Sequence, residues 1–217
     1  MAMTPTTIEA AARDLYNGTN DPFFSSLQIQ NWIWRAQQEL AQRAYLIQNV
    51  YSSTTVAAQQ TYTYPTQALA IRRVTVNGRK IKKITHRDDD AITLSNAAVV
   101  TQGWPIYYTV YNQTLYLRPI PDASTYALQI FTYDDASPVT ATSVIQVPSN
   151  FHFDIVDYVL FRMFNKDKNT DMATFHKQLW QEAVLRAIAY HNKEKRSDSF
   201  ATVQSEDTLP VTILGEA

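Results

Sequence analysis

The residues with chemical potential are few. The four histidines are His86, His152, His176 and His191. None has HExxH spacing, and none stands with acidic residues in a metal-ligand pattern. His176 and His191 fall on one helical stretch and read as helix-surface or interface side chains. There is no cysteine, which excludes disulfides, thiolate nucleophiles and thiolate metal sites. With 4 glycines, a glycine-rich phosphate loop is nearly excluded, and GxSxG, P-loop and dinucleotide fingerprints are absent. Asp88, Asp89 and Asp90 in HRDDD have the chemistry to hold a cation. A carboxylate pair is also what a wall-degrading hydrolase would need, from these or from Asp134 and Asp135. Acidic runs in loops are more often solvated turns. The expectation is therefore no catalytic residue, no cofactor, no metal and no enzyme.

The other charged feature is basic. Arg72, Arg73, Arg79, Lys80, Lys82 and Lys83 surround Asn77-Gly78 with no acidic residue among them. Formal net charge is only -1, so this field is local. One reading is a basic hairpin facing DNA or an acidic protein surface. The other is a solvated hairpin whose lysines guard a sheet edge. No aromatic residue is interleaved for base stacking, so base reading is not expected.

These residues must be carried by elements. Residues 103–135 read as three successive strands, because Ile106, Tyr108 and Val110, then Leu115 and Leu117, then Leu128, Ile130 and Thr132 recur at period two. Asn112-Gln113 turns the first into the second, and Pro119 and Pro121 break the second from the third. Residues 50–56, 61–64, 69–76 and 79–84 read as further strands, the last two joined at Asn77-Gly78. A strand is also expected at 139–147. Helices are expected over 4–17, 26–46, 151–164 and 170–195. Thr4 and Ser25 supply caps, Phe24 staples on Ile29, and Ile29, Trp32, Ile33, Ala36 and Leu40 form a stripe. On the last helix the expected stripe is Met172, Phe175, Leu179, Ala183, Ala187 and Tyr190. The fold class is thus α+β: an antiparallel bundle of N- and C-terminal helix pairs (1–49 and 148–196), an inserted antiparallel β domain (50–147) and an extended C-terminal arm (197–217). In that arm Leu209, Val211 and Ile213 alternate. No apolar run is long enough to span a bilayer and no signal-peptide core is visible, so cytoplasmic synthesis and no membrane partner are expected.

Four segments carry a resemblance. DPFFSSLQIQNWIWRAQQELAQRA, with Trp32, Ile33, Ala36, Gln37, Glu39 and Leu40, resembles the second helix of the head-to-tail adaptor (connector) proteins of tailed bacteriophages, of the tail tubular protein A type; the usual Asn before Ala36 is replaced. GWPIYYTVYNQTLYLRPIPDASTYALQIFTY is similar to that family's sheet at Gly103, Pro105, Tyr107, Tyr108, Pro119, Pro121 and Tyr133. VPSNFHFDIVDYVLFRMF and DMATFHKQLWQEAVLRAI resemble its last two helices. The hairpin at Asn77 and the tail are not covered.

The resemblance implies a structural virion protein at the neck: a homo-oligomeric, generally twelve-fold ring between the portal protein and the tail nozzle or tube, with a channel for DNA passage. It implies that Trp34 and Trp180 supply subunit contacts, that the arm with Leu209, Val211 and Ile213 docks on portal or neighbour, and that the basic hairpin faces the DNA channel or a tail protein, with transient non-specific DNA contact. A carbohydrate- or partner-binding β module of a phage tail, using Tyr-rich strands, is the alternative reading.

Overall fold

The structure is a computed structural model that describes residues 3–17, 22–95, 102–123 and 125–206. Among them the chain forms five α-helices and nine strands, the α+β class expected. It divides into a helical unit, residues 1–36 and 139–217, and a β unit, residues 37–138, inserted between them in sequence.

In the helical unit, α1 (Pro5–Leu15) starts with a capping box. Thr4 Oγ1 accepts from the Thr7 amide while Thr7 Oγ1 accepts from the Thr4 amide, and Pro5 occupies the first turn. The start of α2 (Ser26–Ala44) is held the same way: Ser25 Oγ accepts from the Gln28 amide at 3.3 Å, and Phe24 and Ile29 are both buried as a staple requires. Glu9 accepts from Arg13 Nε at 2.9 Å and from Ser26 Oγ at 2.7 Å, and Arg13 Nη2 donates to the Phe24 carbonyl. Two helix starts are thereby locked together.

We label the last two helices α4 (His152–Lys166) and α5 (Thr170–Glu206). The turn between them closes a Schellman motif. Lys168 takes positive φ, and the Asn169 and Lys168 amides donate to the Phe164 and Asn165 carbonyls. So short a connection makes α4 and α5 antiparallel neighbours. Ile155, Val156, Val159, Leu160 and Met163 are buried on α4, against Ala173, Trp180, Ala183, Val184 and Ala187 on α5. This corrects the expected α5 stripe: Met172, Phe175 and Tyr190 are exposed. The packed face is rotated onto Trp180 and the small residues Ala173, Ala183 and Ala187. Phe153 is likewise exposed, so α4 is not apolar all round in practice.

Two more expectations change. Residues 139–147 form no strand. They make a turn in which the Thr140 amide donates to Ser143 Oγ, and then bury Ile145 and Val147 without a partner strand. His152 ties this segment down, with Nε2 at 2.8 Å from the Val147 carbonyl and Nδ1 accepting from the Met3 amide. The backbone from 197 to 206 continues α5 as helix rather than leaving as an arm. Leu209, Val211 and Ile213 lie outside the described residues.

The β unit holds strands β1 (Gln48–Thr54), β2 (Thr61–Thr63), β3 (Ala68–Val76), β4 (Arg79–Lys83), β6 (Tyr107–Tyr111), β7 (Thr114–Arg118) and β9 (Ala127–Asp134). They form one sheet in the order β1-β9-β3-β4-β6-β7-β2. The short β5 (Gln102–Gly103) and β8 (Ile120–Pro121) pair separately. Asn77-Gly78 and Asn112-Gln113 both take positive φ at their two central positions, the geometry of tight hairpin turns. All ladders of the large sheet are antiparallel except β4 with β6, which is parallel. A parallel pair needs a crossover, and α3 (His86–Ser95) lies in that connection.

The sheet curls. A flat array of seven strands would separate its edges by roughly 29 Å. Yet β1 and β2, at opposite ends, are joined by residues 55–60 alone, a span of at most roughly 25 Å. Inside the curl lie Tyr62, Val74, Val76, Ile81, Tyr108, Leu115, Leu117, Leu128 and Ile130. The link itself is pinned: buried Thr55 donates from its amide to the Tyr126 carbonyl and from Oγ1 to the Ala123 carbonyl.

Trp32 is 8% exposed and sits edge-on to Phe24 with ring centroids 6.3 Å apart. Trp32→Ala is expected to destabilise the fold by about 3–5 kcal/mol. Denaturant unfolding checks this, and an unchanged midpoint refutes it.

Candidate functional site

The HRDDD run is not a solvated turn. It opens α3, and its three carboxylates have separate structural tasks. Thr85 and Asp88 form a capping box: the Asp88 amide donates to Thr85 Oγ1 at 3.1 Å, while Thr85 Oγ1 and the Thr85 amide donate to Asp88 Oδ2 at 2.7 and 3.4 Å. These hydrogen bonds, side chain before backbone, hold the Asp88 carboxyl below the usual carboxylate range. Asp90 meets His86 one turn away at 3.3 Å. Asp89 is 4% exposed and takes Arg118 Nε at 2.9 Å and Nη2 at 3.3 Å. With its amide turned so that the oxygen faces Arg118, Gln60 accepts from Nη1 and Nη2 at 3.0 and 2.9 Å. A forked guanidinium thus joins α3, β7 and the link before β2.

Asp134 and Asp135 are engaged as well. Asp134, 2% exposed, accepts from Tyr51 Oη at 2.6 Å, Asn49 Nδ2 at 3.2 Å and Thr132 Oγ1 at 2.5 Å. Burial first, and then this carboxylate, push the Tyr51 phenol up to about 12, so it stays a donor throughout the ordinary pH range. Asp135 accepts from Gln38 and Gln42. In the helical unit, His176 Nδ1 lies 3.0 Å from Asp157 and its ring stacks on Phe164, and His191 is buried on α5. No group of three or more metal-ligating side chains converges among the described residues. No described helix is long and apolar enough to cross a membrane.

Several tyrosines of the β unit are engaged in the same way, while Tyr111 is 57% exposed. Tyr108 and Tyr133 are buried, Tyr62 Oη accepts from the Val56 amide, and Tyr126 Oη donates to Asp122. A crevice of about 680 Å³ against α1 and the start of α2 has Glu9 and Arg13 in its wall, but they are paired with each other.

What remains open is basic. Arg72, Arg73, Lys80, Lys82 and Lys83 line one cleft of about 400 Å³ with Ile71, Ile81 and Tyr108. Arg79 stands apart, 6.0 Å from the Trp104 ring. The hairpin tip is not free, since Asn77 exchanges hydrogen bonds with Ala127. The cleft exists because β3 and β4 pair only over Val74–Val76 and Arg79–Ile81 and then part, β4 turning to β6 at Lys82 and Lys83. A register shift between Ile71 and Arg73 makes Arg72 a bulge residue, which turns two successive arginines into the cleft. Arg72 donates to Gln48 at 2.9 Å and Arg73 lies 4.0 Å from the Phe131 ring centroid. Since β4 is interior in the strand order, its lysines do not guard an outer edge of the sheet.

Trp180 is 3% exposed and packs 5.0 Å from the Tyr158 ring within the helical unit, so the expected subunit contact through Trp180 has little surface to use. Trp34 is half-buried.

The molecule is thus an α+β protein of a helical unit with an inserted curled-sheet unit, its buried carboxylates committed to holding elements together. It belongs to the SU10 adaptor protein family, whose model matches residues 3–205. This is a family of bacteriophage structural adaptors, components of the virion. Among curated proteins none matches the chain.

Two outcomes follow from the geometry. Asp89→Ala leaves Arg118 buried without its carboxylate and is expected to cost about 3–5 kcal/mol, read by denaturant unfolding; a loss no greater than that of Asp90→Ala refutes the clamp. Asp154, on α4, is pushed above the usual carboxylate range by burial, against the pull of Arg186, and its Oδ2 has no partner among the described residues. A raised folded value means stability present below the unfolded value, about 3.9, and lost as pH rises through the folded one. Asp154→Asn should therefore melt above the wild type at pH 7, with the gap closing toward pH 4; a gap independent of pH refutes the assignment.

Proposed function

We propose that this adaptor is the head-to-tail connector of its phage, one subunit of a closed, twelve-fold ring that joins portal to tail and leaves a channel for DNA. The observation that carries the reading is the family match across residues 3–205, which takes in both units. Supporting it, the helical unit exposes Phe153, Phe175 and Leu185 at 61%, 52% and 66%, apolar area that a neighbouring subunit would cover. In this reading the helical unit builds the ring and meets the portal, the β unit points toward the tail nozzle or tube, and the protein resides at the neck. The C-terminal segment, with Leu209, Val211 and Ile213, docks on the portal or a neighbour.

Light scattering of the purified chain with and without portal tests this. The expected result is a ring-sized species, alone or on the portal template. A chain that stays monomeric in both, or binds no portal, overturns it. Deleting residues 197–217 should weaken portal attachment while the melting temperature of the remainder holds; equal binding by the truncated chain removes the role assigned to the tail.

A further inference from the structure

We propose that the basic cleft between β3 and β4 binds an extended acidic polypeptide segment, which pairs with the open edge of β3. The inference rests on charge and backbone geometry and stands apart from the ring reading.

Charge comes first. Five cationic side chains line the cleft. The ammonium groups of Lys80, Lys82 and Lys83 take no hydrogen bond or ion pair among the described residues, and Asp88, the carboxylate near Lys82, is engaged in the α3 cap. Arg73 lies over an aromatic face, which leaves its charge in place, and Arg72 donates to the neutral amide of Gln48. Such a cluster is costly to assemble and favours an anionic occupant.

The backbone then selects among anions. From Ala68 to Arg73, β3 is paired on its β9 side, and its β4-facing side has no ladder partner among the described residues. Beyond Ile81, β4 is paired only with β6. Two strand edges without a ladder partner among the described residues therefore border the wedge, the β3 edge being bulged at Leu69 and Arg72. An extended peptide pairs with them, and its alternate side chains reach Arg73, Lys80 and Lys82. Nucleic acid offers phosphates but no matching row of amides. The aromatic residue of the wall, Tyr108, is 3% exposed and presents no face on which a base can stack. Half-buried Ile71 offers apolar surface to an extended polypeptide segment.

The test uses the full chain and three labelled probes: a peptide alternating Glu and Val, the same peptide with Gln for Glu, and a single-stranded DNA oligonucleotide, followed by fluorescence anisotropy at low and high salt. The Glu peptide should bind at low salt, the Gln peptide at least about tenfold more weakly. Lys80→Glu/Lys82→Glu, both exposed positions, should lose at least as much, with Lys83→Glu as a second variant and Lys177→Glu on α5 as an unaffected control. Hydrogen exchange should show the backbone of residues 69–73 gaining protection when the Glu peptide binds. Tighter binding of the oligonucleotide than of the Glu peptide, unchanged binding by both cleft variants, absence of saturable binding, or unchanged exchange at 69–73 would each overturn the proposal.

Discussion

The β unit depends on one closure constraint. Its first two strands lie at opposite ends of a seven-strand order, yet only residues 55–60 separate them. The sheet has to curl until that link can reach, and the curl gives the apolar side chains of β3, β4, β6, β7 and β9 a common interior. Curling also exposes a weak place, because a short tether under a closed sheet must satisfy its own polar groups. The chain answers with Thr55, Tyr62 and Gln60, each hydrogen-bonded across the seam. Buried polar groups cost little when fully partnered and a great deal when not.

The same economy governs the charged residues. Asp89 with Arg118, and Asp134 with Tyr51, Asn49 and Thr132, sit where an unpaired charge would be prohibitive. Each fastens two or more elements together. The basic side chains gather in a different place, five of them lining the cleft. The cleft has its own topological cause: β4 shares three residue pairs with β3 and then leaves it for a parallel ladder with β6. The β3–β4 ladder stops after those three pairs, and the wedge lies where the two strands separate. The helical unit leaves apolar residues of α4 and α5 exposed.

Local signals in the chain were legible wherever the physics is local. Thr4-Pro5, Ser25 with Gln28, Asn77-Gly78 and Asn112-Gln113 specify caps and turns through groups a few residues apart, and each appears in the structure. Period-two patterning placed the strands of residues 103–135 for the same reason. The failures are equally specific. HRDDD reads as a polar loop because the partner that buries Asp89 is Arg118, 29 residues away. Residues 139–147 carry a strand-like composition, but a strand needs a neighbour, and Val147 finds a histidine instead. Trp180 looked available for a partner until α4 covered it.

The sequence by itself therefore determined most of the element types, the turns, the α+β class, the basic cluster and the resemblance to phage adaptors, since these depend on residue identity and short spacing. Tertiary structure alone decided which strands are neighbours, that one ladder of the large sheet is parallel, which face of α5 is buried, and that five of the six basic side chains share a cleft. Those outcomes depend on which distant segments meet. The free energy of such meetings comes from surfaces that no stretch of the chain carries on its own.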